Sequence, residues 1–409
     1  MGRLTLTNIF CGFCFILPGL LVLSSVAVVP FMLLIALCAA AAVWLSDRQF
    51  PLPRTVFSLL FAVLLLWAAI ASLWTQDVGW ALLLVLRIGT VILAGLFLIG
   101  LALRLEIAER RRVGLALLAG FALGVAILLI ERTFHHPLHT LVASLDTDKS
   151  PLSILNRGAT GLAIMVWPVT ALLYRGRLGA WALALPVLLF LVLCLLESQA
   201  ALLGIAVGYL FGAMAFAAIA FGRWTLGRTV LAAVLMVSVI GTPLAAKMIY
   251  DSGMRGSEFL DFASQHRIHI WKFTAERIVE RPVFGWGFNS SRAIPNGDTV
   301  PFAEATKAIP SHPHNAVLQI WLELGVVGIA MLLAVLLTLA WRIDRLPGVD
   351  RISAVALLTC SFAIASVAYG IWQHRWIATL FCGALIIVLC RGAGIGGETR
   401  SQQDTRGHG

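Results

Sequence analysis

Two residues in one polar stretch offer chemistry: Arg267, early in QHRIHIWKFTAERIVER (265–281), and His314, in Ser311-His-Pro-His-Asn315. A guanidinium is a permanent cation whose planar fork binds two phosphate oxygens at once. An imidazole exchanges a proton near neutral pH. Arg157, in Leu155-Asn-Arg-Gly158, and Arg87, in LLLVLRIGTVILAG, each stand in or beside an apolar run, and Ser198-Gln199 forms a polar turn between two others. Several anion-binding groups beside a proton acceptor suit a phosphate ester. Each also has a plainer reading. Arg267 suits an interfacial anchor on a basic amphipathic helix. Arg87 suits a side chain snorkelling to the membrane edge, and His314 a helix-capping histidine.

The elements that carry these residues are set by composition. The chain has 409 residues, of which 60% are hydrophobic and 12% charged, against roughly 25% charged in soluble domains. Apolar runs of 18 or more residues recur, each long enough to cross ~30 Å of hydrocarbon. The pattern predicts an all-α polytopic membrane protein with spans near 9–26, 28–45, 55–74, 80–102, 113–131, 158–174, 179–197, 200–221, 229–249, 316–341, 352–370 and 376–391. The first run leads straight into a second, without a signal-peptide cleavage pattern. The chain thus divides into a bundle (1–247), a large polar loop (248–314), three further spans (315–391) and a Gly-rich tail (392–409) read as disordered.

Arginine placement sets the orientation. With the N-terminus in the cytoplasm, seventeen arginines, among them Arg110, Arg111, Arg112, Arg175, Arg223, Arg228, Arg342 and Arg391, fall inside. The short outer loops receive only Arg132, Lys149, Arg157 and Arg375. Both termini are then cytoplasmic, and the 248–314 loop lies outside with eight of the nine histidines. No glycine-rich nucleotide fingerprint occurs in an inner loop. The net charge of +10 is explained by this asymmetry, so nucleic acid is not an expected partner, whereas membrane lipids are. The seven cysteines all lie in apolar runs, so no disulfide framework is indicated. In the cluster His135-His-Pro-Leu-His139 Pro137 interrupts helical spacing and no acidic or cysteine partner is expected close by, and the outer loop lacks an Asp-x-Asp pair; no metal or other cofactor is expected.

Within the loop, residues 265–281 predict an amphipathic helix with Ile270, Trp271, Thr274 and Ile278 facing the bundle and Lys272 pairing with Glu276. Pro282 stops it, and Phe284-Gly-Trp-Gly-Phe288 follows as a turn. The next span opens at His314-Asn315 and holds Gln319 and Glu323 in its first turns; a span Glu must face protein or water.

The stretch RIHIWKFTAERIVERPVFGWGFN, followed by SHPHNAVLQIWLELGVVGIA, resembles the signature region of the O-antigen ligase and polymerase superfamily. The shared features are Arg267, the Pro282/Gly285/Gly287 turn, His314-Asn315, and Glu323-Leu-Gly325 with Gly328. The local likeness covers about 65 residues, and the span order extends it. One departure is Gln199, where the family often has arginine; Arg157 or Arg87 is then expected to serve. The resemblance implies a GT-C-like bundle in the bacterial inner membrane with a periplasmic active site. It implies metal-independent, inverting transfer of O-antigen glycan from undecaprenyl diphosphate to a sugar hydroxyl of the lipid A core. His314 would act as base and Arg267 would stabilise the leaving diphosphate. Arg157, Arg87, Asn315, Gln199 and Arg292 would contact diphosphate or glycan. An O-antigen polymerase or a protein O-oligosaccharyltransferase of the same superfamily is the near alternative. A transporter is the alternative of another class, but it predicts midplane charges and inverted repeats, and the unpaired polar groups here cluster at the outer edge.

Overall fold

A computed structural model describes residues 2–47, 55–142, 151–196, 198–254, 260–295, 297, 309 and 311–394. Lys149, much of the 296–310 segment, and the tail beyond 394 lie outside the described residues. Fourteen α-helices follow in order: α1 (Gly2–Leu23), α2 (Val28–Asp47), α3 (Val56–Ala71), α4 (Val78–Ala102), α5 (Ile107–Thr133), α6 (Pro137–Val142), α7 (Pro151–Tyr174), α8 (Ala184–Cys194), α9 (Gln199–Ala220), α10 (Trp224–Asp251), α11 (Phe262–Glu280), α12 (Ala316–Ile343), α13 (Gly348–Val367) and α14 (His374–Leu389). No strand occurs among the described residues. Each expected span falls on a helix. Among the described residues nine helices are long and apolar enough to cross a membrane, and Gly179–Cys194 and His374–Leu389 are shorter apolar segments. The protein is an all-α, multi-pass membrane protein.

The bundle is organised around α7. Residues 158–172 of this helix are buried on every side, as expected of an apolar helix with no polar stripe. It packs against α1, α13, α5, α9 and α14. Small residues allow the close approaches, because helix association in lipid relies on backbone proximity and dispersion rather than on expulsion of water. A Cβ on Gly120 of α5 would overlap the backbone of Cys14 and Phe15 in α1. Lipid-facing aliphatic side chains such as Leu59, Leu66, Leu188 and Val237 remain exposed on the outer helices.

Polar contacts secure the face opposite the 252–315 loop. Arg175 pairs with Asp350 at 2.5 Å, and Arg228 pairs with Asp344 at 2.7 Å. The chain after α14 is held there by Arg110 and Arg175, which donate to the carbonyls of Arg391 and Ala393.

On the loop face, α11 begins at an Asp261 cap, whose side chain accepts from Ser264 N–H at 3.0 Å. It starts a few residues before the expected boundary. Its buried residues are Ile268, Ile270, Phe273, Thr274, Ala275 and Ile278, and it packs against α10 and α12. Trp271, expected on that face, is half-buried at its margin and donates to the Pro313 carbonyl at 2.9 Å. Lys272 and Glu276 pair at 2.8 Å as expected.

The Pro282–Asn289 turn docks into a break in α12. Gly325 has φ 61° and ψ −157°, a conformation outside the helix and open almost only to glycine. Around it, Trp286 and Gly287 N–H donate to the carbonyls of Leu322 and Glu323 at 2.8 and 3.0 Å, and Val326 N–H donates to Pro282 at 2.9 Å. A Cβ on Gly285 would overlap the Glu323 carbonyl, and one on Gly325 would overlap that of Val283.

The Glu323 side chain, fully buried, completes the joint. It accepts from Asn289 N–H at 2.7 Å, from Ser291 through both N–H and hydroxyl, from Gln319 Nε2 at 2.9 Å and from Trp372 Nε1 at 2.6 Å. Only an acceptor-only group satisfies five donors. Glu323→Gln turns an NH2 toward some of them, so it should destabilise the purified protein by about 2 kcal/mol or more. Gly325→Ala should lower the unfolding temperature too. Thermal unfolding in detergent checks both, and an unchanged midpoint for Glu323→Gln would refute the joint's role.

Candidate functional site

The site is built where α12 emerges on the loop face. Asn315 caps that helix: its side-chain oxygen accepts from Val317 and Leu318 N–H, both at 3.0 Å. The capping role considered for His314 therefore belongs to its neighbour, and the Asn315 oxygen is committed to the helix. His314, just outside, has φ 55°, a left-handed conformation rare for a residue with a Cβ. Its N–H donates to His312 Nδ1 at 3.1 Å. Its own Nδ1 lies 3.3 Å from the Ala368 carbonyl. A carbonyl only accepts, so Nδ1 carries the proton and Nε2 is left as the basic nitrogen.

Burial and cations hold both imidazoles neutral. His314 is pushed down to about 4, first by desolvation and then by the Arg267 charge. His312 is pushed down to about 3, by desolvation and then by His314, Arg375, Arg292 and Arg267. Desolvation also lowers Arg267, with the nearby Asp261 opposing it. His312 is anchored in addition by the Gln373 side-chain amide, 2.6 Å from its Nε2. Gln319 Oε1 accepts from Ile371 N–H at 2.9 Å, tying the α13–α14 connection to α12 and so to the histidines.

Of the expected residues, the fold brings together Arg267, His314, Asn315 and Arg292, with His312 between them. Arg157, in the first turns of α7, is within electrostatic reach of Arg375. Gln199 is exposed at the start of α9, where its side-chain oxygen accepts from Ser264 Oγ at 3.1 Å; it tethers the loop helix one turn from Arg267. Arg87 is exposed on α4, its Cζ 5.3 Å from the centre of the Trp80 ring, and reaches the cluster only at its margin through His374. Sequence reasoning missed His312, Gln373 and Arg375 as site residues. The signal for Arg375 was present: like Arg157, it opens a span at the loop face.

The cluster at 135–139 requires a correction. An acidic residue does lie close to it: Glu131, fully buried one turn back. Glu131 accepts from Leu138 and His139 N–H at 2.7 and 3.3 Å and contacts His139 Nδ1 at 2.7 Å. It satisfies the main chain where α5 turns into α6, a role invisible without the turn geometry.

Loss of the Asn315 cap should be measurable by itself. Asn315→Ala should cost about 1 kcal/mol of stability, while Asn315→Asp retains the acceptor and most of the stability. Equal unfolding midpoints for alanine and wild type would show that the cap does not set this helix start.

The family described as O-antigen ligase matches residues 184–333, the segment from α8 through the loop to the α12 break. A protein of Rickettsia bellii that carries the provisional name polysaccharide ligase is 26% identical over 397 residues, 90% of this chain and 94% of its own length. Provisionally named polysaccharide ligases of Rickettsia prowazekii and Rickettsia felis are 26% and 28% identical over 280 and 281 residues, each covering 68% of this chain and 66% of the relative. Family match over residues 184–333, near full-length similarity and the docked Pro-x-x-Gly-x-Gly turn agree in supporting the O-antigen ligase superfamily.

Proposed function

We propose that this protein is an O-antigen ligase of the bacterial inner membrane. It transfers O-antigen glycan from undecaprenyl diphosphate to a hydroxyl of the lipid A core on the periplasmic face. The observation that carries this reading is His314, its Nδ1 turned to the Ala368 carbonyl so that Nε2 is the basic nitrogen, within the field of Arg267 at the start of α12. The relatives' polysaccharide ligase name points the same way. The arginine bias across the short loops supports a cytoplasmic N-terminus and, with it, a cluster on the outer side. Nucleotide sugars are absent there, so the donor must bring its own leaving group.

The reaction is a displacement at the anomeric carbon. The acceptor oxygen attacks that carbon, and the new C–O bond forms as the bond to the diphosphate oxygen breaks. The acceptor proton passes to His314 Nε2, and the electron pair of the broken bond stays with the lipid diphosphate. Attack opposite the leaving group inverts the anomeric centre. Arg267 meets the charge that develops on the diphosphate, an electrostatic effect strongest at a site shielded from water. Arg157 and Arg292 extend the same field, with Arg87 at its margin. Asn315 positions the base through the helix start, and Gln199 positions the loop helix.

His314→Ala should reduce transfer by 10²–10⁴-fold, the usual worth of a positioned base, while leaving membrane insertion intact. The assay is purified protein with lipid diphosphate-linked glycan and lipid A core. Normal transfer by this variant would overturn the assignment. A deletion strain distinguishes the near alternative: a ligase mutant accumulates lipid-linked polymer, whereas a polymerase mutant caps its core with single repeat units.

The pH dependence has a definite sign. The base must be neutral, and its free-protein value is about 4, so kcat/KM should fall only as pH drops toward that value. Arg267→Ala removes a charge that disfavours the imidazolium. It should therefore move the acid limb of kcat/KM to higher pH as well as weaken donor use. A limb that stays in place would separate Arg267 from His314.

A further inference from the structure

Arg375 is the second residue of α14, two positions after the Gln373 cap. Its Nε is buried without a hydrogen-bond partner, and its Nη2 makes only a long contact to Gln373 Oε1 at 3.5 Å. Its electrostatic neighbours are Arg157 from α7 and the Tyr369 phenol, and the phenol in turn contacts Thr160 Oγ1 at 2.8 Å. Among the described residues neither arginine forms an ion pair with a carboxylate; the paired arginines are Arg175, Arg228 and Arg277. Thr160 Oγ1, which reaches the Tyr369 phenol, also donates to the Arg157 carbonyl at 2.8 Å, so the two guanidiniums share this corner of the loop face and repel each other. An unmatched donor inside adds to that cost. An anion between them removes both penalties. The side is also right, since Arg375 acts on His312, which contacts His314.

We propose that Arg375 and Arg157 form an anion subsite for one phosphate of the lipid diphosphate, separate from the Arg267 side. The proposal rests on the function proposed above. The two arginines come from helices on opposite sides of the chain's order, and both lie outside the 184–333 family match. A diphosphate carries two phosphate groups, and one guanidinium grips two oxygens of one of them. Arg267 alone leaves the other unmatched; the Arg157–Arg375 pair supplies its partner. Gln373 ties this subsite to the base, since it precedes Arg375 and contacts His312 Nε2.

The test uses the full chain in nanodiscs, with undecaprenyl diphosphate, undecaprenyl monophosphate and phosphatidylglycerol as probes. Arg375→Ala should weaken diphosphate binding about tenfold or more, consistent with a lost bidentate contact, and weaken monophosphate binding less. Arg375→Lys should recover part of the loss, because charge returns without the fork. Arg157→Ala combined with Arg375→Ala should cost less than the sum of the two single losses, because both hold one group. Arg375→Gln replaces alanine where alanine lowers the yield of folded protein. Unchanged diphosphate affinity in Arg375→Ala and Arg375→Gln, with Arg267→Ala still weakened, overturns the subsite and leaves the ligase reading intact. Loss confined to phosphatidylglycerol overturns it in favour of a structural lipid. Wild-type protein that binds no lipid diphosphate overturns both.

Discussion

The buried Glu323 carboxylate is the contact on which the loop face depends. Backbone outside a helix is tolerated at membrane depth only when protein satisfies its polar groups. The Pro282–Asn289 turn brings non-helical backbone to that depth, and α12 opens at Gly325 to receive it. Glu323 then closes the account of donors from three segments: Asn289 and Ser291 in the turn, Gln319 in its own helix, and Trp372 in the α13–α14 connection. A neutral side chain of the same size has too few acceptors. The acid in the span is therefore an architectural group, which explains why an expensive charge is kept in an apolar helix.

From this joint the histidines acquire their places. Gln319, held by Glu323, binds Ile371 N–H, and the same connection carries Gln373 onto His312. His312 in turn accepts from the backbone of His314 and helps hold it at positive φ. The Asn315 cap fixes where α12 starts, and Trp271 pins the loop helix to Pro313. Thus Arg267, on a separate helix, and His314, on a strained corner, are set against each other by a chain of hydrogen bonds that begins at a carboxylate well away from either.

The spans were legible in the sequence because apolar runs of membrane length have no other use. The loop helix was legible too, although its N-terminus was placed late because the Asp261 cap sits in a polar stretch without clear periodicity. What was not legible depends on contacts between distant segments. Trp271 looked like a core position by spacing, yet it reaches sideways to Pro313. His314 looked like a possible cap, but only geometry gives that task to Asn315. Glu131 is one turn from the histidine cluster yet seemed unrelated, because it serves main-chain groups that appear only when α5 turns into α6. Arg375 comes within electrostatic reach of Arg157 although 218 positions separate them in the chain, and no local pattern links α7 to α14.

The same positive field bears on two steps of the proposed reaction. With the site empty, the arginines disfavour a second kind of cation, so His314 remains an available base despite its burial. When lipid diphosphate binds, its negative charge offsets that field, and accepting a proton becomes easier as the acceptor attacks. Once the diphosphate leaves, the field again disfavours imidazolium and drives the proton off. Burial alone would keep the histidine neutral but give it no reason to become more basic with donor in place. A carboxylate beside each arginine would neutralise the field and remove this coupling. The lack of an ion-paired carboxylate at Arg157 and Arg375 among the described residues is therefore part of how such a site would choose when its base can act.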